Sequence, residues 1–399
     1  MMYRAVIVVA MLAAMAGTSG GETKIGPRGQ VIVNGKPTIP VAMWSQPPYL
    51  FEYHRQLGMT CMVGAHVERG EFRDASHSVF PPAEKSGLML VTEYHPADRE
   101  QKAVIGWLGG NITPDDSRPE SLRQENDRIR QADPSRLVMN NLSIHELLAG
   151  GHEEYYRRAL RDCEAMISHV WPEVFPAKPN LRNVAVMIDR VRELSKDRPG
   201  GEISIWPDLN PHHWHNKASR GGTQYPSPTR EELRFQIWLA LIHGADGICF
   251  FPISFDPFVY SQIPATNEQE LAWNTKLIQR LTPALTSEES PLGIKVTSDR
   301  EGGVLDVTTR TVDGKHYVFL VNGGREEQTV TLTVPELGKT WLLRDAVKEQ
   351  AIDVGSDAFR EKLPGLALRI WELVPTKASE ATPPAGAANV SSPRPAENK

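Results

Sequence analysis

Eight short apolar runs between Thr38 and Ile253, separated by longer amphipathic segments, constrain this chain more than any other feature. They are Ile39–Trp44, Met59–Gly64, Leu88–Tyr94, Val104–Leu108, Leu137–Asn140, Met166–Trp171, Ile203–Trp206 and Ile248–Ile253. Apolar runs of this length suit strands covered on both faces, and the segments between them carry a helical period, so each unit reads as strand, crossover helix, parallel strand. Tyr49, Tyr53 and Leu57 precede Gly58, and Leu233, Ile237 and Leu241 precede Gly244, each glycine standing where a helix C-cap belongs. Leu181, Val184, Ile188, Val191 and Leu194 repeat the spacing, and Thr229 with Glu232 forms a capping-box start. Only the interval from Tyr94 to Val104 is too short for more than a stub of helix. Eight such units are the number that closes a ring, so residues 24–285 are expected to form a (β/α)8 barrel in an α/β fold.

Beyond Leu285 the texture becomes strict alternation, as in Val330, Leu332 and Val334 separated by Thr331 and Thr333. That is the period of a strand with one buried face. Asp313-Gly314 between apolar runs is a strong hairpin signal, and 291–375 reads as a small antiparallel β-sandwich. The linker Thr286–Pro291 is short, which predicts a sandwich docked on the barrel rather than tethered to it. From Thr376 to Lys399 the chain holds little that could be buried, and a disordered tail (376–399) is expected. At the other end, Arg4 precedes an apolar stretch, Ala5 to Ala16, that gives way to small residues up to Gly20. This is the pattern of a signal peptide over residues 1–20 and predicts export to the periplasm or beyond; the stretch is too short to span a bilayer.

A net charge of -5 with 23% charged residues gives no reason to expect nucleic acid or an anionic membrane as partner. Three cysteines, Cys61, Cys163 and Cys249, form no disulfide framework and read as buried thiols. No cofactor is called for.

In a (β/α)8 barrel the functional side chains leave the C-terminal ends of the strands. Here those ends carry Trp44, His66, Glu68, Glu93, His95, Trp107, Asn111, Asn140, Asn141, His169, Trp171, Asp208, His212, Trp214 and Asp256. Rings beside amides, imidazoles and carboxylates suit a sugar, whose C–H faces stack on aromatic surfaces while its hydroxyls seek donors and acceptors. Any single tryptophan is better explained as core, but Trp44, Trp107, Trp171 and Trp206 close four separate runs. The expected binding set is Trp44, His66, Trp107, Asn111, Asn140, His169, Trp171, Trp206, His212 and Trp214, with a carbohydrate as partner.

The sequence resembles the barrel glycoside hydrolases that carry a C-terminal β-sandwich, the relatives of β-galactosidases and cellulases. The resembling stretches are Val31 to Pro37, Ile105-Gly106-Trp107, Ala132 to Arg136, and Leu233 through Phe251, which contains Ala240-Leu241-Ile242-His243-Gly244-Ala245-Asp246-Gly247-Ile248. The resemblance implies hydrolysis of a poly- or oligosaccharide outside the cytoplasm. It also exposes a departure: those families end strand four in an acidic Glu, whereas this chain reads Gly109-Gly110-Asn111-Ile112-Thr113-Pro114-Asp115-Asp116. Asp208, at the strand-seven position of the family nucleophile, and Glu93, at the end of strand three, are the carboxylates expected to do the chemistry. Two rival readings stay open. One is a degenerate barrel that binds or scaffolds carbohydrate without cleaving it. The other is a metal-dependent hydrolase using His212, His213 and His215 near Asp208, although no metal-ligand motif supports a metal there.

Overall fold

The computed structural model describes residues 22–376 apart from 66–75, 113, 115–118, 144, 149–150, 171–179, 213, 216–223, 256 and 355–357. The expected signal peptide therefore lies outside the described residues, as does the expected tail after Thr376, whose N–H donates to Thr340 O at 2.8 Å. No helix among those described is long and apolar enough to cross a membrane.

Eight parallel strands close a barrel: β1 (Val41–Trp44), β2 (Cys61–Val63), β3 (Met89–Glu93), β4 (Val104–Ile112), β5 (Leu137–Leu142), β6 (Ala165–His169), β7 (Ser204–Leu209) and β8 (Ile248–Phe250). Each falls within or overlaps one of the eight apolar runs. β8 hydrogen-bonds to β1 with Cys249 opposite Ala42, which completes the ring. Among the described residues the crossovers are α1 (Phe51–Gln56), α2 (Ser76–Ser86), α3 (Pro119–Ala132), α4 (Glu153–Arg161), α5 (Asn183–Ser195), α6 (Arg230–Ile242) and α7 (Ala265–Leu285). Between β3 and β4 there is only the 3-10 turn Pro96–Asp98, as the short interval requires. The Thr229–Glu232 capping box starts α6, and Gly58 and Gly244 take the left-handed conformation that ends α1 and α6.

The barrel interior is filled by Ala42, Cys61, Val63, Val91, Ile105, Met139, Ile167, Trp206 and Cys249. Val31 and Val33, from an antiparallel hairpin ahead of β1, join this cluster and stopper the N-terminal end. That hairpin turns on Asn34 and Gly35, both at positive φ as a two-residue turn demands. All three cysteines are buried and unpaired with one another.

The C-terminal part is two antiparallel sheets. One has the strand order Leu305–Val312, Lys315–Asn322, Leu368–Pro375, Trp341–Asp345, Gln350–Ile352; the other runs Lys295–Ser298, Gln328–Thr333, Ala358–Leu363. The Asp313–Gly314 turn forms, with Val312 opposite Lys315. Val318, Leu320, Val330, Leu332, Leu343 and Trp371 fill the space between the sheets. Phe319 and Val321 alternate with these and instead join the cluster of barrel helices. This strand is therefore buried on both faces, which simple alternation did not foretell. The same packing explains α6, whose Phe-Gln-Ile-Trp-Leu-Ala-Leu-Ile run is apolar all round: it is covered by the barrel on one side and the sandwich on the other. Trp238 stacks on Phe319 with ring centroids 6.2 Å apart and donates its indole N–H to Asn274 Oδ1 at 2.7 Å.

Polar ties reinforce the junction. Arg182 holds the Asp306 carboxylate through both guanidinium nitrogens, and His243 bridges Asp306 at 3.0 Å and Asp189 at 2.8 Å. Within the linker, Arg28 donates to the carbonyls of Thr286 and Ser287, and the Thr311 N–H donates to Glu288 O at 2.9 Å. Limited proteolysis of the native protein is expected to spare residues 286–291, because the carbonyls of Thr286, Ser287 and Glu288 are already bonded and cleavage needs an extended, released backbone. Rapid appearance of an intact fragment ending near residue 290 on a denaturing gel would contradict this.

Candidate functional site

Strand parity decides what reaches the C-terminal mouth of the barrel. On β7, Ser204, Trp206 and Asp208 alternate inward while Ile205 and Leu209 face the helices. On β6, Ile167 lies inside and His169 follows two residues later; on β1, Ala42 is followed by Trp44. Asp208 stands opposite His169 and Cys249 in the parallel register. Its Oδ2 meets His169 Nδ1, while its Oδ1 is buried without a hydrogen-bond partner. Burial raises the Asp208 carboxyl above its ordinary range, with the facing His169 pulling the other way. His169 itself is held edge-on between two rings, Trp44 and Phe251, with centroids 5.5 Å away on each side. The result is an Asp–His pair, carboxylate beneath and imidazole above, that still leaves 23% of the His169 side chain open to solvent.

The aromatic wall has its own support. Gln46 donates to the carbonyls of Trp44 and Tyr260, both at 2.9 Å, tying the end of β1 to the segment after β8. Gln46 Oε1 meets His54 Nε2 at 2.9 Å, and burial pushes His54 down to about 3, so this imidazole is neutral and structural. From Phe251 a row of rings runs outward through Phe255 at 6.0 Å, Phe258 at 6.4 Å and Tyr260 at 4.8 Å, each step measured from the ring before it. Phe255 and Phe258 are exposed on a short hairpin beside the mouth.

Following the register from Asp208 through β8, β1 and β2 arrives at Met89. The stagger of an eight-stranded barrel adds about four residues over half the ring, which brings Glu93, two residues beyond the inward Val91, level with Asp208 on the opposite wall. Glu93 is exposed there. Asn141 follows the inward Met139 by two residues and pairs in register with the exposed Asn111 of β4. Asn141 Oδ1 is buried and unbonded, a second acceptor with no donor supplied by the described protein.

Other expected residues go elsewhere. Trp107 is fully buried on the outside of the barrel, donating to Asp133 Oδ2 at 3.0 Å under the Arg136 guanidinium. The cause is a bulge: β4 gains a residue against β3 between Val104 and Gly106, so inward Ile105 is followed by outward Trp107 and inward Leu108. Asn140 also faces outward, exchanging amide hydrogen bonds with Asn126 of α3 at 2.9 and 3.1 Å. The residue that parity turns inward is its neighbour Asn141. Trp206 is inside but one layer too deep, fully buried beneath Asp208 with its indole N–H on Ser204. His212 is buried in the segment after β7, which Asn267 pins through the Pro211 and Pro228 carbonyls. His66, Glu68, Asp115, Asp116, Trp171 and Asp256 lie outside the described residues, and of Trp214 only the backbone is described, in a two-stranded ribbon with Tyr225.

The mouth thus joins Asp208, His169, Trp44, Glu93 and Asn111 of the sequence-derived set, and adds Phe251 and Asn141. Phe251 was hidden in the sequence because it sits inside the Ile248–Ile253 run and reads there as core.

No family of known sequences matches the chain, and no curated protein does. Solved structures do. A glycoside hydrolase of family 5 from Bacteroides vulgatus superposes with a TM-score of 0.56 at 9% identity, over 89% of this chain and 93% of that one. A second structure described as a glycoside hydrolase gives 0.54 at 8% identity, over 89% and 97% of the two chains. A maltogenic alpha-amylase from Thermotoga neapolitana gives 0.51 at 9% identity, over 83% and 98%. At such identities the likeness is one of fold, and in fold this chain is a glycoside hydrolase-like (β/α)8 barrel followed by a β-sandwich.

Proposed function

We propose that this is an exported carbohydrate-active protein whose barrel mouth binds a sugar and whose acid–base element is the His169–Asp208 pair. The observation that carries the reading is the placement of that pair at the C-terminal mouth, between Trp44 and Phe251. Rings flank the imidazole, and beside it two buried acceptors, Asp208 Oδ1 and Asn141 Oδ1, have no hydrogen-bond partner among the described residues. Asp208 fixes the His169 tautomer and stabilises the protonated ring, while Glu93 provides a second carboxylate across the mouth.

Barrel geometry sets the scale of the gap between the two carboxyl groups. Eight strands spaced by about 4.8 Å and tilted by about 36° make a ring about 15 Å across, which leaves about 9 Å between inward-reaching Asp and Glu carboxyls. Retention needs about 5 Å and inversion about 6.5–9.5 Å, so a gap of this scale favours the inverting geometry. A binding protein without turnover is the second reading, favoured by Asn111 at the mouth end of β4, where an acid is expected.

Titration of intrinsic fluorescence with a panel of oligosaccharides tests the site. Binding is expected to quench Trp44, and Trp44→Ala should weaken affinity by about 1–3 kcal/mol, the worth of a stacked ring face. A full panel that neither quenches the wild type nor distinguishes it from a folded Trp44→Ala variant would remove the sugar site.

A further inference from the structure

At the N-terminal end of the barrel, away from the mouth, two cavities of about 380 and 470 Å3 adjoin and share Arg161, Arg198 and Pro199. Arg161 closes α4 just ahead of β6, Arg198 lies between α5 and β7, and the Thr23–Ile25 strand borders the larger cavity. Together the cavities are lined by seven arginine and lysine side chains against four carboxylates, in a chain whose net charge is -5. Setting aside Arg130 and Arg136, which are paired with Glu164 and Asp133, leaves five cations against three carboxylates. Glu164 is already engaged by Arg130 and by the Val138 N–H, whereas Arg157, Arg158 and Arg161 form no ion pair with any described carboxylate.

Arg198 is the sharpest indicator. It spends one guanidinium nitrogen on the Gly201 carbonyl at 2.7 Å, while its Nε–H is buried without an acceptor. Burial depresses its pKa, the signature of a cation short of counter-charge. A guanidinium can only donate, so whatever completes this site must bring acceptor oxygens and negative charge.

We propose that these joined cavities bind the oxyanion groups of an anionic polysaccharide, at a site distinct from the barrel mouth. Two concave sites sharing one arginine pair suit charges repeated along a chain better than a flat lipid surface or a single free ion. The site stands independently of the reading of the mouth.

The full-length protein should bind dextran sulfate but not neutral dextran at roughly 50 mM salt, with affinity falling steeply as salt rises. The double variant R157Q/R161Q, on an exposed helix face, should bind about tenfold more weakly with an unchanged Tm, and R198Q should weaken binding as well. Arg360→Gln, on the distant sandwich, should have no effect. Several results would overturn the assignment: equal binding by R157Q/R161Q, equal loss in Arg360→Gln, or capture by anionic phosphatidylglycerol vesicles in preference to dextran sulfate. Inorganic sulfate binding as tightly as the polymer would overturn the chain in favour of a small ion.

Discussion

Asp208→Asn is expected to lower turnover on a cleavable glycan by at least about 10³-fold while leaving the fold and sugar affinity in place. The amide keeps an oxygen for the His169 ring but can neither carry a negative charge nor stabilise a protonated imidazole. Because Asp208 is fully buried and its Oδ1 is unbonded, the substitution removes charge from an apolar setting and should not harm stability. His169→Gln should reproduce the loss, since the pair works as a unit, and the double variant should be little worse than either single one. Glu93→Gln should be comparably slow if cleavage uses both walls of the mouth. These outcomes can be separated by steady-state kinetics alongside fluorescence titration. If Asp208→Asn turns over like the wild type, the pair is not the acid–base element. If the wild type binds several glycans and cleaves none, the binding reading replaces the hydrolytic one.

Trp238→Ala is expected to cost about 3–5 kcal/mol, because the ring is fully buried and removing it opens a cavity between α6 and the sandwich. The loss should appear as a lower midpoint for the whole chain in a denaturant melt, not as separate early release of the sandwich. The same interface should depend on pH. Burial alone would depress His243, but the Asp306 and Asp189 carboxylates outweigh it and raise its pKa; the stabilisation is therefore full below the ordinary histidine range and is lost as pH rises through the raised value. For Asp306, burial opposes the shift, yet Arg182 and His243 pull it below its ordinary range. Its contribution is present above that range and lost on acidification through the lowered value. The junction should be firmest between the two, and His243→Gln should flatten the alkaline limb of the stability curve. A Trp238→Ala protein that melts within about 1 kcal/mol of wild type would show that the sandwich docks without this contact.

The barrel was legible because its strands are buried on both faces and therefore read as unbroken apolar runs, each but the third followed by a helix. The sandwich was legible in the alternation of Gln328–Thr333 and in the Asp313–Gly314 turn, but Lys315–Asn322 lost its period to a second buried face. The site was less legible, for a reason of parity: function depends on which of two adjacent residues points inward, and a bulge shifts that by one. Trp107 and Ile105 share a spacing that says same side, and the structure separates them. Asn140 and Asn141 differ by one position and by everything else, the first bound to α3 and the second facing the mouth. Asp208 and His169 were found because each ends a strand without a bulge before it.

Arg28 reaches across 258 and 259 residues of sequence to the carbonyls it bonds. At a synthesis rate of about 5–20 residues per second, the hairpin that stoppers the barrel emerges roughly 13–50 s before its latch exists. Until Thr286 and Ser287 arrive, the hairpin is held by the packing of Val31 and Val33 and by the Thr23 N–H on Ser135 O, without this tie. The tie thus waits for the end of α7, the helix that follows the last barrel strand, and the ring gains it only when all eight strands have been made.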